Sequence, residues 1–297
     1  MNKQNNYQKR SYEVLKGLSV GDAFGESFSY GYERIRERLK DGMPEVNLWW
    51  TDDTAMAIGI HQCLTEHGKV KQDALAKIFH KNYLREPDRG YGRMAAHMLS
   101  QMNKKAWQLL TTEAFDGGSM GNGSAMRIPP LGVWFAEDYD TVVKQAKLSA
   151  QITHFHPEGV AGAIAVALTS AAAFNTRNLS AQNARSEIHE VVMSNTPKSA
   201  TKEMITSSFS IGLKKTIAEA VSELGNGANI TCVDTVPFVI WNSLRCLDDL
   251  KEGMLSSVEA GGDCDTNTAM VAGIITARLG EEALPQEWMK KLEKLPV

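Results

Sequence analysis

The chain has 297 residues, of which 43% are hydrophobic and 23% are charged, and its formal net charge is −3. This composition is typical of a globular protein with one large or two ordinary domains, and it gives no reason to expect a nucleic acid or a membrane as partner. The four cysteines form no CxxC pair and no zinc spacing, which predicts reduced thiols. The N-terminal residues show no apolar signal core, so we expect a cytoplasmic location.

Helical periodicity dominates the first half of the chain. The first helix is predicted over residues 7–20 and ends in the glycine-containing stretch 21–25. Residues 26–48 are predicted to form a polar loop with a short charged helix at 32–39. Further helices are predicted at 54–66, closed by Gly68 as C-cap, at 73–83, and in one or two pieces at 91–110.

Residues 116–132 combine several glycines with a proline pair, which predicts irregular backbone. Pro157 and Pro237 are each predicted to lie in the first turn of an apolar helix, and the run 159–174 is too short to span a membrane and predicts a buried core helix. Helices are predicted at 140–151, 158–174, 182–194, 199–224 with a break near 211–212, 233–247, 251–257, and once within 280–297.

No alternating strand pattern and no long linker is found along the sequence. We therefore predict an all-α protein with a single compact helical domain over residues 11–297, preceded by a polar N-terminal tail over residues 1–10.

The segment from Ser257 to Leu279 places Asp263 and Asp265 at the start of a run of small apolar residues. Two carboxylates entering an apolar helix are costly unless something pairs with them. One interpretation is a helix cap, which explains one acidic residue. The other is a hard divalent cation held by both carboxylates and the Thr266 hydroxyl, with Cys264 as a small buried filler.

A second segment of the same chemical type, Thr51, Asp52 and Asp53, precedes another Ala-rich helix. One such helix start is explained by capping, but two favour helix starts that meet and share cations. Four crowded carboxylates repel one another and bind protons unless metal ions neutralise them.

Six motifs that follow one another along residues 11–280 resemble the ADP-ribosylglycohydrolase family, which includes the dinitrogen-reductase-activating and ADP-ribosylarginine hydrolases. They are GDAFGE (21–26), WTDDT (50–54), GSMGNGSAMRIPPLG (118–132), THFHPEGVAGA (153–163), VDTVPFVIW (233–241) and GGDCDTNTAMVAG (261–273).

The resemblance implies an all-helical fold with two Mg²⁺ or Mn²⁺ ions in a central cleft. It also implies hydrolysis of the bond between ADP-ribose and a protein side chain, arginine in the first place, with serine-linked and other derivatives left open. Oxygen-only ligands fit hard ions and argue against zinc. The implied metal ligands are Thr51, Asp52, Asp53, Asp263, Asp265 and Thr266.

The candidate general acid or base is Glu26, although many family members place this acid farther on, where this chain has Ser29. Asp52 and Asp53 are therefore alternative bases beside the metal. A solvated loop glutamate is the structural alternative for Glu26. Asp22 is expected to support the glycine-containing turn or a neighbouring hydrogen bond.

The glycine-rich loop is expected to contact the diphosphate and a ribose, with a surface turn as the alternative. By resemblance His154 faces ADP-ribose, with a structural histidine as the alternative. Arg127 is left open between a phosphate and a structural carboxylate. The loop residues are Gly118, Ser119, Met120, Gly121, Asn122, Gly123 and Ser124.

The expected partner is an ADP-ribosylated protein substrate. Some family members are immunity proteins, so a second hypothesis is a protein that binds and blocks an ADP-ribosyltransferase toxin, with or without hydrolysis. A third, disfavoured because all six oxygen ligands are present, is a non-catalytic ADP-ribose-binding fold.

Overall fold

The computed structural model describes residues 3–28, 35–38 and 47–297. Within these ranges the chain forms α-helices, two short 3₁₀ turns and two isolated β-bridges, which confirms the all-α prediction. The helices are α1 (Lys3–Glu26), α2 (Ile35–Arg38), α3 (Asp52–His67), α4 (Gln72–Arg85), α5 (Arg93–Gln101), α6 (Trp107–Glu113), α7 (Pro129–Trp134), α8 (Tyr139–Ala150), α9 (Pro157–Asn175), α10 (Ala181–Asn195), α11 (Ala200–Ser210), α12 (Ile217–Leu224), α13 (Cys232–Arg245), α14 (Leu250–Glu259), α15 (Cys264–Leu279) and α16 (Gln286–Met289).

Helix α1 is longer at both ends than the periodicity predicts. Residues 3–10, assigned above to the polar tail, form its first turns, and residues 21–25 continue it to Glu26. The predicted helix end at Gly21 is therefore wrong. Gly21 and Gly25 serve close packing instead, because an added Cβ would collide with backbone of α15, 2.5 Å from the Cys264 carbonyl oxygen in the case of Gly25.

Helices α1 and α15 run antiparallel. Gly17 near the middle of α1 faces Thr276 late in α15, whereas Gly25 at its end faces the first turn of α15. This close, antiparallel contact brings the C-terminal end of α1 to the N-terminal end of α15, where the second Asp segment lies.

Helix α3 begins and ends close to the predicted positions. Thr51 is its N-cap and accepts a hydrogen bond from the Asp53 N–H, and Gly68 closes it in the left-handed conformation at φ 67°.

Three further differences concern helix boundaries. Pro129 begins α7 inside the stretch predicted to be irregular, because a proline fits the first turn of a helix. Pro237 lies beyond the first turn of α13, which begins at Cys232. The predicted helix at 32–39 is described only over residues 35–38, where it is helical, and the rest of that segment lies outside the described residues.

Helix α9 forms the centre of the fold. By length and composition it passes the test for a membrane span, but 83% of its apolar window is buried inside the protein. It packs against α7, α8, α10, α13 and α15. The prediction of a buried core helix is therefore confirmed.

Candidate active site

The N-terminal ends of α3 and α15 meet beside the C-terminal part of α1. Asp22, Asp53 and Asp265 come from these three helices, and each offers a carboxylate oxygen within 4.8 Å of the others. Both helix starts carry the positive end of a helix dipole, which favours carboxylates there. The sequence prediction that the two Asp segments meet is confirmed by this geometry.

Asp22 is fully buried and organises the start of α3. Its Oδ2 accepts from the Thr51 N–H at 2.9 Å and from the Thr54 hydroxyl at 2.6 Å, and its Oδ1 accepts from the Thr51 hydroxyl at 2.8 Å. The carboxylate is thus occupied by protein donors, and it fixes the backbone from which Asp52 and Asp53 project.

Asp53 is 1% exposed and incompletely paired. Its Oδ2 lies 3.3 Å from the hydroxyls of Thr51 and Thr266, and its Oδ1 has no hydrogen-bond partner among the described residues. A buried carboxylate oxygen without a partner is costly, so this atom marks a position that a cation fits.

Asp263 occupies the N-cap position of α15 but makes no side-chain capping bond. Its Oδ2 instead accepts from the Asn122 Nδ2 at 2.6 Å, and the same amide donates to the Thr235 hydroxyl at 3.1 Å. The capping interpretation therefore does not account for Asp263, whose carboxylate turns toward the glycine-rich loop.

The acidic groups raise one another's proton affinity. Burial raises the pKa of Asp22 and of Asp263 to about 7, and in both cases the negative charge of Asp265 adds to the effect. Burial and neighbouring carboxylates also raise the pKa values of Asp52 and Asp53 well above the usual range. The oxygen-only donor set and this mutual repulsion fit hard divalent cations.

Cys264 lies between two of these carboxylates in sequence but is 1% exposed. Its Sγ lies 3.9 Å from the Val258 carbonyl oxygen, and burial followed by the charges of Asp265 and Asp263 raises the pKa of the thiol to about 12. A protonated, buried thiol supports the interpretation as a packing residue.

Two residues flank the acidic cluster. Glu26, the last residue of α1, is exposed, and its charge contributes to the raised pKa of Cys264 at the start of α15. On the other side Gly90, at φ 85°, would place an added Cβ 3.8 Å from Asp52 Oδ1. Ser29, the alternative position for the family's acid, lies outside the described residues.

Three backbone N–H groups of the glycine-rich loop donate hydrogen bonds within the protein. The Gly118 N–H donates to the Ala114 carbonyl, the Gly121 N–H to the Ser119 hydroxyl at 3.1 Å, and the Asn122 N–H to the Ile230 carbonyl. These three N–H groups are therefore engaged within the protein, and an anion on this loop would rely on other donors. The hydroxyl of Ser124 donates to the Gly159 carbonyl and ties the loop to α9.

His154 is buried beneath this loop, where an added Cβ on Gly123 would lie 3.1 Å from its Nε2. Burial and the charge of Arg127 lower the pKa of His154 to about 3, so the imidazole is neutral. Arg127 is fully buried and donates to the Thr153 hydroxyl and the Ser149 carbonyl. It forms no ion pair with a carboxylate in the described part of the chain, so of the two partners left open for Arg127 the structural carboxylate is not observed.

Two hydrogen bonds of the site have little or no signal in the sequence. Thr54 donates to Asp22, and only its place in the TDDT motif signals a role. Asn122, predicted as a loop residue, bonds Asp263 across 141 positions of sequence, and no local pattern indicates such a contact.

Together the fold and the site define an all-α protein with a largely buried acidic cluster suited to hard cations. The sequence model of the ADP-ribosylglycohydrolase family matches residues 3–296, so the chain belongs to that family. The family resemblance drawn from the six motifs is confirmed. At this level the supported activity is hydrolysis of a glycosidic bond of ADP-ribose.

Similar proteins agree with this assignment. ADP-ribosylhydrolase ARH3 of Xenopus tropicalis is 31% identical over 94% of this chain and 89% of its own length. The Homo sapiens protein of that name is 31% identical over 83% of this chain and 75% of its own length. A solved structure described as an ADP-ribosylglycohydrolase-related protein complex superposes with a TM-score of 0.69, covering 97% of this chain and 93% of that one. Its 22% identity supports the fold alone.

Proposed function

We propose that the protein is a metal-dependent hydrolase that removes ADP-ribose from modified protein side chains, arginine in the first place. The observation that carries this proposal is the buried Asp53 Oδ1, which has no hydrogen-bond partner among the described residues and lies at the meeting point of three acidic helix segments. In an apolar core an unpaired carboxylate oxygen is costly, whereas in a cation site it serves as a metal ligand.

Two Mg²⁺ or Mn²⁺ ions are proposed to be held by oxygen atoms alone. When bound, such ions orient the ribose hydroxyls and lower the pKa of a water molecule. Asp22 is not among the proposed ligands because Thr51 and Thr54 already occupy its oxygens. The proposed ligands are Thr51, Asp52, Asp53, Asp263, Asp265 and Thr266.

The proposed reaction is attack of water at the anomeric carbon of the ribose. The bond from this carbon to the side-chain nitrogen or oxygen breaks, a bond to the water oxygen forms, and the leaving group gains a proton. Glu26 is proposed to exchange these protons because it is an exposed carboxylate next to the start of α15. Asp52 and Asp53 are the alternative bases.

The linkage is the finer part of the proposal. The preference for arginine rests on the motifs alone, and the names of the similar proteins state no linkage. Serine-linked substrates are therefore tested beside arginine-linked ones. Blocking of an ADP-ribosyltransferase toxin stays a prediction, and hydrolysis is the role that the acidic cluster favours.

The test is release of free ADP-ribose, measured by chromatography, from arginine-linked and serine-linked ADP-ribosylated proteins in Mg²⁺ or Mn²⁺. We expect the wild-type protein to release it and Asp263→Ala to lose the activity. Asp140→Ala is the matched control, because Asp140 is an exposed acidic residue in the first turn of α8. A folded, metal-loaded wild-type protein that releases nothing from any ADP-ribosylated substrate would refute the proposal.

Glu26→Gln separates binding from proton transfer. We expect kcat to fall by a factor on the order of 10²–10⁴, the usual contribution of a general acid or base, with metal binding retained. An unchanged kcat would transfer the role to Asp52 or Asp53.

A further inference from the structure

Below the glycine-rich loop, three buried polar side chains form a hydrogen-bonded chain. The Arg127 Nη1 donates to the Thr153 hydroxyl oxygen at 2.9 Å, and that oxygen lies 2.8 Å from the His154 Nδ1. All three residues are at most 7% exposed. The described residues make no other hydrogen bond to the Thr153 hydroxyl.

The direction of the second hydrogen bond follows from the first. A guanidinium can only donate, so the Thr153 oxygen accepts from Arg127 and retains one proton to donate. The His154 Nδ1 is the one acceptor for this proton among the described residues. The Thr153 oxygen could also accept from a protonated Nδ1, but its own buried proton would then lack an acceptor, which is costly. We therefore infer that His154 presents an unprotonated Nδ1 to Thr153 and carries its proton on Nε2.

The Nε2 edge of His154 faces the loop. An added Cβ would lie 3.2 Å from Nε2 at Gly121 and 3.1 Å from it at Gly123, so a side chain at either position would crowd Nε2. Within the described residues no group accepts a hydrogen bond from Nε2. The N–H thus points at the gap that these glycines leave open.

We propose that Arg127 and Thr153 are positioning residues that fix His154 as the Nε2–H tautomer, so that it donates a hydrogen bond to an oxygen of ADP-ribose seated on the loop. This inference rests on the proposed function. Arg127 is fully buried, and its hydrogen bonds to the Thr153 hydroxyl and the Ser149 carbonyl compensate part of the cost of that burial, which holds the Thr153 hydroxyl in place. The neutral state of His154 is consistent with this role, since a neutral imidazole has one donor and one acceptor.

The first measurement is the nitrogen-15 spectrum of the imidazole of His154 in the wild-type protein with Mg²⁺. We expect Nε2 at the frequency of a protonated ring nitrogen and Nδ1 at that of an unprotonated one. The opposite tautomer would overturn the proposal, whatever the variants do.

The second measurement is the affinity for ADP-ribose in Thr153→Val, which keeps the side-chain shape and removes the hydroxyl. We expect about three- to tenfold weaker binding, the usual effect of losing one hydrogen bond, with the midpoint of metal binding unchanged. Thr153→Ser restores the hydroxyl and should restore affinity. Thr169→Val is the control, because Thr169 is an equally buried residue whose hydroxyl, among the described residues, bonds only the Ala165 carbonyl of its own helix.

A double-mutant cycle distinguishes positioning from general support of the fold. In a His154→Gln background, Thr153→Val should weaken ADP-ribose binding no further, because the group that it positions is gone. An additive loss, or an unchanged affinity in Thr153→Val alone, would overturn the proposal. A folded wild-type protein that binds no ADP-ribose would refute the proposed function itself.

Parallel titrations with ADP and ribose 5-phosphate identify the oxygen concerned. If Thr153→Val also binds ADP more weakly than the wild type does, the accepting oxygen belongs to the adenosine diphosphate half. If the variant binds ribose 5-phosphate more weakly, the accepting oxygen belongs to the distal ribose phosphate. A loss shared with neither probe would contradict a direct hydrogen bond from His154.

Discussion

The Thr266 hydroxyl, in the first turn of α15, lies 3.3 Å from the Asp53 Oδ2 in the first turn of α3 and donates to it, across 213 positions of sequence. This contact joins the two Asp segments into one acidic cluster. The other oxygen of Asp53 has no partner among the described residues. The relationship leads directly to predictions about stability with and without metal.

Asp53→Asn should stabilise the metal-free protein and abolish its response to metal. Removing a buried carboxylate that repels its neighbours is expected to raise the free energy of unfolding at pH 7 by about 1–3 kcal/mol. A cation at 100 times its dissociation constant stabilises the wild-type protein by about 2.7 kcal/mol, and this gain should vanish in the variant. Thermal unfolding with chelator and with Mn²⁺ measures both effects.

The control for this experiment is Asp140→Asn, on the exposed start of α8. It should leave both the metal-free stability and the metal response within about 0.5 kcal/mol of the wild type. If Asp53→Asn gains as much stability from Mn²⁺ as the wild type does, Asp53 is not a metal ligand.

The metal-free protein should lose stability as the pH rises. Burial and the charge of Asp265 raise the pKa of Asp263 to about 7, so the folded protein holds a proton that an unfolded chain releases near pH 4. The native state binds more protons between these values, and the free energy of unfolding therefore falls as the pH rises from about 4 to about 7, and the loss is complete above this window.

The difference between the wild type and Asp263→Asn isolates this effect from other titrating groups. Denaturant unfolding of metal-stripped protein at pH 5 and pH 7.5 should show the wild type losing more stability than the variant. Equal losses in both proteins would show that Asp263 titrates normally.

Gly25→Ala should displace the start of α15. The added Cβ would lie 2.5 Å from the Cys264 carbonyl oxygen, and all the atoms nearest to it are backbone atoms of α15. Overpacking of this kind costs about 1–3 kcal/mol or more, and the shift should also weaken metal binding. Gly92→Ala is the control, since a Cβ there meets nothing within 4 Å. Wild-type stability and metal affinity in Gly25→Ala would contradict the close approach of α1 and α15.

Asn122→Ala should weaken metal binding without unfolding the protein. Its amide donates to Asp263 Oδ2 at 2.6 Å, and loss of a group that orients a metal ligand typically costs about 10–100-fold in affinity. Asn175→Ala removes a comparable amide, bonded to the Ala136 carbonyl at the surface, and should have no such effect. Calorimetric titration compares the Mn²⁺ affinities of the two variants. Equal affinities would show that metal binding does not depend on the hydrogen bond from Asn122 to Asp263.

Much of the fold followed from the sequence because the relevant signals are local. Thr51 and Gly68 mark the two ends of α3 through capping and a left-handed turn, and both act as predicted. The sequence also predicts that the two acidic helix starts meet. A helix cap explains only one carboxylate at each start, and the additional carboxylates favour shared cations.

The remaining features depend on contacts that no local pattern encodes. The sequence predicts that Gly21 ends α1, but glycine in a helix can equally well serve close packing, and the residues of α15 that Gly21 contacts lie far away in sequence. The bond from Asn122 to Asp263 and the bond from Arg127 to Thr153 also join residues that lie apart in the sequence. Such contacts become visible only in three dimensions.

The most direct test of the account measures Mn²⁺ binding and ADP-ribose release on the same metal-stripped protein. We predict that release from an ADP-ribosylated protein rises along the calorimetric binding curve as Mn²⁺ is added back, and that Asp53→Asn shows neither binding nor release. Release at the full rate by protein without metal, or by Asp53→Asn, would contradict the account.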